Sequence, residues 1–160
     1  MEQEIPMNAN RKKLIFFLVL PLAVGALAGF LTKNSMMIYK NLNQPPLSPP
    51  GWIFPVVWTI LYLLMGLGSY LIAQSYSPKK KEALLLYGIQ LALNFIWSIV
   101  FFHLQNYLLA FLILLLLWYF IIRMIRAFWN VNQTAALMQI PYLLWVTFAG
   151  YLNLAIVLLN

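Results

Sequence analysis

Long apolar stretches separated by short polar clusters dominate this chain. Between Glu82 and Arg123 there is no Asp, Glu, Lys or Arg. At about 1.5 Å rise per residue, a helix of that length would be nearly twice as long as one bilayer crossing. The polar cluster at 103–106 divides the interval into two spans. The pattern therefore predicts five transmembrane helices in one domain, residues 1–160, at about 14–32, 50–75, 83–102, 107–127 and 134–158.

The composition supports a membrane protein. Hydrophobic residues make up 64% of the chain and charged residues only 8%, whereas a soluble domain has about 25% charged residues. Most of the surface must therefore face lipid, and only helices or closed barrels can cross a bilayer. The uncharged runs are far longer than a barrel strand of about 10 residues. We therefore expect an all-α integral membrane protein.

The net charge of +7 reflects basic residues at the ends of the apolar stretches. They do not form one face, so no nucleic-acid partner is expected. Only Lys33 and Lys40 fall on one side of the membrane, and the positive-inside rule places the more basic side in the cytoplasm. We expect a bacterial plasma membrane protein with its N-terminus inside and its C-terminus outside. The other eight basic residues are Arg11, Lys12, Lys13, Lys79, Lys80, Lys81, Arg123 and Arg126.

The loop at 33–49 joins the first two spans and ends in a proline-rich segment at 45–50. Proline fixes its own φ and restricts the residue before it, so the loop is predicted to be stiff. Ser48 is predicted to cap the second helix, with Pro49 at its first position. A stiff loop at the membrane surface suits a lid over a cavity, and a plain spacer is the alternative.

The side chains for ordinary catalysis or metal binding are scarce. The chain has no cysteine, which excludes disulfides and thiolate metal sites. Its acidic residues, Glu2, Glu4 and Glu82, all lie outside the predicted spans. The single histidine, His103, could ligate haem iron or could be a solvated turn residue. We expect no metal site and no obligatory cofactor.

Aromatic and amide side chains recur on single faces of three predicted helices. Asn94 is the most informative of them, because an unpaired amide in hydrocarbon costs several kcal/mol. It must face a ligand or bond a neighbouring helix. A cavity with Trp walls and a few amides suits a flat, largely apolar ligand. The three faces are Pro55, Trp58, Tyr62 and Met65; Gln90, Asn94, Trp97 and Phe101; and Pro141, Trp145, Phe148 and Leu152.

Three segments resemble the tryptophan-rich sensory protein, or translocator protein, family. They are PPLSPPGWIFPVVWTILYLLMGLGSYL at 45–71, QLALNFIWSIVFF at 90–102 and PYLLWVTFAGYLN at 141–153. The resemblance implies a five-helix bundle that binds porphyrins, including protoporphyrin and haem, and isoquinoline carboxamides beneath the first loop. Animal members also bind cholesterol through a motif in which a basic residue follows a tyrosine. No Lys or Arg follows Tyr151 here, so cholesterol is a doubtful partner. With the helix faces, the resemblance gives these candidate ligand-binding residues: Tyr39, Trp58, Tyr62, Asn94, Trp97, Trp145, Phe148 and Ala149.

Three functions share this predicted pocket. The first is a receptor or sensor for porphyrins. The second is a catalyst of light- and oxygen-dependent porphyrin breakdown, in which Trp58 and Trp145 would be redox partners. The third is a tetrapyrrole transporter, which the lack of an internal repeat disfavours. We expect the first function, with porphyrin breakdown as the main alternative.

Two pairs of small residues bear on oligomeric state, Gly25 with Gly29 and Gly88 with Ala92. Each pair lets another helix approach closely, either within the bundle or in a second copy. Family members commonly form dimers, so the resemblance favours a homodimer through Gly88 and Ala92.

Overall fold

The structure, a computed structural model, describes residues 7–160. Within that part of the chain every regular element is helical, and five helical stretches are long and apolar enough to cross a membrane. The prediction of an all-α membrane protein with five transmembrane helices is therefore confirmed. The helices are α1 (Met7–Thr32), α2 (Met36–Lys40), α3 (Ile53–Gln74), α4 (Lys80–Ser98), α5 (Tyr107–Trp129), α6 (Gln133–Leu137) and α7 (Ile140–Leu159).

Helix α1 lies at the edge of the bundle and packs mainly on α3. Only 11% of its most apolar window is buried. The two helices approach closely at Gly66, where a Cβ atom would lie 2.6 Å from the carbonyl oxygen of Phe17. A second contact is at Gly25, where a Cβ atom would collide with the ring of Tyr62. Because α1 has few other neighbours, it acts as an outer wall for the space beside α3.

Helix α3 starts three residues later than the sequence suggested, and Ser48 does not cap it. The hydroxyl of Ser48 instead donates to the carbonyl oxygen of Pro45 at 2.9 Å, and Ile53 N–H donates to the carbonyl of Pro50 at 3.0 Å. The proline-rich segment therefore forms local turns, and the helix begins only after it. Pro55 is then the third helical residue, where a missing N–H breaks no helical hydrogen bond.

The fifth crossing consists of two helices, with α6 leading into α7. Asn132 caps α6, since its side chain accepts a hydrogen bond from Ala135 N–H at 3.0 Å. The break comes just before Pro141, which has no N–H to offer the carbonyl of Leu137. The interruption leaves Gln139 between the two helices, with its side chain in the core.

A π-helical turn, Ile99–His103, ends the third crossing. Leu104 N–H donates to the carbonyl of Ile99 at 3.0 Å, five residues back. The wider turn lets both Phe101 and Phe102 face the interior, with ring centroids 4.8 Å apart. A regular α-helix would separate consecutive side chains by about 100°.

Candidate functional site

A cavity of about 650 Å³ lies between α1, α3, α4 and α7, under the segment that joins α1 to α3. Its lining is mostly apolar and, within residues 7–160, contains no Asp, Glu, Lys, Arg or His side chain. Six of the eight predicted ligand-binding residues line it: Tyr39, Trp58, Tyr62, Trp97, Trp145 and Ala149.

Three tryptophans from three helices meet at this cavity. Trp58 stacks on Tyr62, with centroids 5.5 Å apart and planes 30° from parallel. The ring of Trp97 lies 6.4 Å from that of Trp58. Trp145 approaches from α7 and contacts Phe54 edge-on at 5.9 Å. The rings therefore form a continuous aromatic wall suited to stacking against a flat ligand.

The roof of the cavity centres on Tyr39 in α2. Its side chain is buried, and its ring packs against Phe54, Phe101 and Phe102 at centroid distances of 6.2, 6.0 and 5.9 Å. Met36 and Gly51 also line the cavity from this side. Residues of the segment between α1 and α3 therefore form this end of the cavity lining.

Hydrogen bonds fasten that segment to α7. The side chain of Asn160 bonds the main chain of Asn43, and the hydroxyl of Tyr151 donates to the carbonyl oxygen of Pro46 at 2.8 Å. The end of the last helix therefore holds the roof in place.

Asn94 lies below the lining. It is fully buried; its Oδ1 accepts from the hydroxyl of Tyr62 at 3.0 Å, and its Nδ2 donates to the hydroxyl of Tyr142 at 2.9 Å. Of the two roles open to Asn94, the structure shows the interhelical one. Asn94 joins α3, α4 and α7 and reaches the cavity only through Tyr62.

Asn153 is a lining residue that the helix faces did not single out. Its Oδ1 accepts from the indole N–H of Trp97 at 3.1 Å, and its Nδ2 donates to the carbonyl of Tyr107 at 2.9 Å. The signal was present in the sequence, because Asn153 is an amide in an apolar stretch, eight residues after Trp145. It fixes the tilt of the Trp97 ring.

Phe148 lies outside this cavity. It lines a shallow apolar groove between α3 and α7 with Leu61, Leu144 and Trp145. Its ring stacks with that of Tyr151 at 6.1 Å. Trp145 borders both spaces, so it is the partition between the cavity and the groove.

The cavity is open on one side, between α1 and α3. Ala26 and Gly29 of α1 and Pro55 and Thr59 of α3 line it and are themselves exposed. A Cβ atom on Gly29 would meet nothing within 4 Å. These are small side chains at the level of the membrane-spanning helices, so the opening faces the bilayer.

Other candidate features lie away from the cavity. His103 is exposed and does not line it. Among the described residues, no cluster of three or more His, Cys, Asp or Glu side chains could hold a metal ion.

Gly88 and Ala92 are exposed on α4, and a Cβ atom on Gly88 would meet nothing within 4 Å. Gly25 differs from Gly88, since it faces Tyr62 inside the bundle.

Comparison with known proteins identifies the family of this chain. The model of the TspO/MBR family matches residues 17–159. The chain is 40% identical over 158 residues to the tryptophan-rich protein TspO of Chlorobaculum tepidum, covering 96% of this chain and 99% of that protein. It is 38% identical to the tryptophan-rich sensory protein of Cereibacter sphaeroides over 76% of both chains. It is also 38% identical to the translocator protein of Bos taurus, over 86% of this chain and 83% of the relative. With five apolar helices and a match over nearly its whole length, this multi-pass integral membrane protein belongs to the TspO/MBR family.

Proposed function

We propose that the protein is a membrane receptor or sensor that binds porphyrins, such as protoporphyrin or haem, in the cavity beneath the segment joining α1 and α3. The observation that carries this proposal is the meeting of Trp58, Trp97 and Trp145 around one mostly apolar cavity. A volume of about 650 Å³ falls within the usual range for small-molecule sites, about 300–1,000 Å³. Isoquinoline carboxamides have the same flat, apolar character and belong to the same proposal.

The cavity chemistry also suggests how a porphyrin would sit. A porphyrin with propionate groups has an apolar ring and charged carboxylates, and none of the described residues that line the cavity is cationic. The ring would stack among the indoles, and the carboxylates would remain near water. Lys33 and Lys40 are exposed and each directly follows a lining residue, Thr32 and Tyr39 respectively. Their position in sequence puts two basic residues near the roof end of the cavity, where the propionates would lie.

Titration of the purified protein with protoporphyrin, followed by the porphyrin absorbance, tests the proposal. We expect Trp145→Ala to weaken binding at least about tenfold, which corresponds to about 1.4 kcal/mol. Trp129→Ala is the matched control, because Trp129 lies at the end of α5, is exposed and does not line the cavity. Equal affinities for wild type and both variants would refute binding in this cavity.

Light- and oxygen-dependent breakdown of protoporphyrin is the second candidate function. The observation that favours it is that two oxidisable indoles, Trp58 and Trp145, both line the cavity. Illumination of the protein–porphyrin complex, with Trp145→Phe as the comparison, tests it. Trp145→Phe keeps an aromatic ring for binding but removes the indole, so equal decay rates at equal occupancy would exclude a role for Trp145.

A further inference from the structure

Below the floor of the cavity lies a group of buried polar side chains that the proposed function does not use. Its members are Gln90 and Tyr87 on α4 and Gln139 between α6 and α7, with exposures of 0%, 3% and 0%. At this depth every polar group needs a partner, because neither lipid nor an apolar core supplies one.

Helix register places the two glutamines on one level. Asn94 of α4 bonds Tyr142 of α7 at 2.9 Å. Gln90 lies one turn before Asn94 on α4, and Gln139 lies one turn before Tyr142, just ahead of α7. Both glutamines also reach consecutive residues of α3, since Gln90 Nε2 lies 4.0 Å from the sulfur of Met65 and Gln139 Nε2 lies 3.2 Å from the carbonyl oxygen of Leu64. The two amides therefore lie against the same stretch of α3.

The contacts show which atom of each glutamine amide has a hydrogen-bond partner and which has none. Gln139 Nε2 donates to two main-chain carbonyls, those of Leu64 and Ala135, so its Oε1 points elsewhere. The Nε2 of Gln90 is likewise occupied by Met65. Among the residues that the structure describes, Gln90 Oε1, Gln139 Oε1 and the hydroxyl oxygen of Tyr87 are buried with no partner at hydrogen-bond distance. The hydroxyl of Ser69 lies beside that of Tyr87, but it donates its own hydrogen to the carbonyl oxygen of Gly66 at 3.1 Å.

We propose that an internal water molecule binds among these three groups and links α4 to the α6–α7 junction under the cavity. Water has two donors for the two amide oxygens and can accept from the phenolic hydroxyl. Three hydrogen bonds is the usual number for a buried water. The water would continue the interhelical bonding of Asn94 and Tyr142 one turn further from the cavity. The inference concerns the ligand-free protein and does not depend on porphyrin binding.

The sign of a stability change tests this proposal. If no water is bound, the Gln90 amide oxygen is buried without a partner and destabilises the fold. Gln90→Leu would in that case leave the melting temperature unchanged or raise it. If a water bridges the groups, Gln90→Leu leaves Gln139 Oε1 and the Tyr87 hydroxyl poorly satisfied. We then expect the melting temperature in detergent to fall by at least about 2–4 °C. Gln133→Leu is the control, because Gln133 is exposed at the start of α6.

A double-mutant cycle tests whether Gln90 and Tyr87 stabilise the protein through one shared water or independently of each other. Tyr87→Phe should also lower the melting temperature, and the double variant with Gln90→Leu should lose less than the two single losses added together. Additive changes, or single variants at least as stable as wild type, would overturn the proposal.

A measurement on the unmodified protein in bilayers guards against variants that fail to fold. In water-edited solid-state NMR, magnetisation should pass from water to the side-chain amides of Gln90 and Gln139. Ile121 is the dry reference, because it is fully buried and apolar. Transfer to the glutamines no greater than transfer to Ile121 would show that the site is dry.

Discussion

Asn43 and Asn160 are joined by a reciprocal pair of hydrogen bonds across 117 residues of sequence. The main-chain N–H of Asn43 donates to Asn160 Oδ1 at 3.0 Å, and Asn160 Nδ2 donates to the main-chain oxygen of Asn43 at 3.1 Å. The pair anchors the roof of the cavity to the end of α7.

Asn160→Ala should therefore speed ligand release. Asn160→Ala removes both hydrogen bonds with Asn43. At about 0.5 kcal/mol for each exposed bond, the loss is about 1 kcal/mol, so the dissociation rate of bound protoporphyrin should rise about fivefold. Stopped-flow displacement measures this rate. Asn130→Ala is the control, because Asn130 is exposed at the other end of the bundle, after α5. Release at the wild-type rate would show that the Asn43–Asn160 pair does not restrain the roof.

Asn153→Leu should weaken both folding and ligand binding. It leaves the indole N–H of Trp97 without its acceptor, at a cost of about 1–3 kcal/mol in the free energy of unfolding. It also frees the Trp97 ring to tilt in the cavity wall, so protoporphyrin affinity should fall.

Thr147→Val is the matched control for Asn153→Leu. It also deprives an indole of its acceptor, since Trp118 Nε1 donates to Thr147 Oγ1 at 2.9 Å on an exposed face. It should leave ligand affinity unchanged. A loss of affinity as large as that of Asn153→Leu would mean that the effect is general instability.

Gly25→Ala and Gly29→Ala should differ in sign although they lie one turn apart in α1. A Cβ atom on Gly25 collides with Tyr62, whereas on Gly29 it meets nothing within 4 Å. Gly25→Ala should lower the melting temperature and displace the Tyr62 ring from Trp58. Gly29→Ala should raise the stability by up to about 1 kcal/mol through helix propensity. Thermal unfolding of both variants checks this, and equal effects would contradict the packing of α1 on α3.

Gly88→Leu should reduce dimer formation if α4 is the homodimer interface. Gly88 and Ala92 are exposed and offer a close approach for a second copy. Chemical crosslinking in bilayers measures the dimer fraction. Ala23→Leu makes the same kind of change on the exposed side of α1 and should leave the fraction unchanged. Undiminished crosslinking of Gly88→Leu would place the interface elsewhere.

Two single cysteines should settle the predicted orientation, because the chain has no cysteine of its own. Leu47 and Tyr76 are 82% and 89% exposed, in loops on opposite sides of α3. With the N-terminus inside, a membrane-impermeant maleimide added to intact bacterial cells should label Leu47→Cys and spare Tyr76→Cys. The reverse pattern would invert the topology.

The sequence was sufficient to predict the five membrane-spanning stretches and most of the cavity wall, but not the short helices α2 and α6. Spacings of three, four and seven residues put Trp58 and Tyr62 on one face of α3 and Trp97 on the matching face of α4. Those inferences needed only a regular helix. The predictions of lining residues were incomplete where the backbone is not a regular α-helix. They were also wrong at the boundary between the side of a helix that faces the cavity and the side that does not.

Phe102 and Phe148 illustrate these two limits. Phe102 reaches the interior because a π-helical turn widens the backbone, and hydrophobic spacing does not reveal such a turn. Phe148 is about 60° around α7 from Trp145, on the side away from Ala149 and Asn153. The cavity face runs from Trp145 toward those two residues, so Phe148 falls just beyond its edge and into the groove. Which side of Trp145 faces inward depends on tertiary packing.

The opening lined by Ala26, Gly29, Pro55 and Thr59 affects how a measured dissociation constant should be interpreted. A ligand that enters through this opening dissolves first in the hydrocarbon, so its relevant concentration is its mole fraction in lipid. The apparent dissociation constant, expressed per volume of buffer, should then rise in proportion to the amount of added vesicles or detergent. Comparisons between variants are therefore meaningful only at a fixed ratio of lipid to protein.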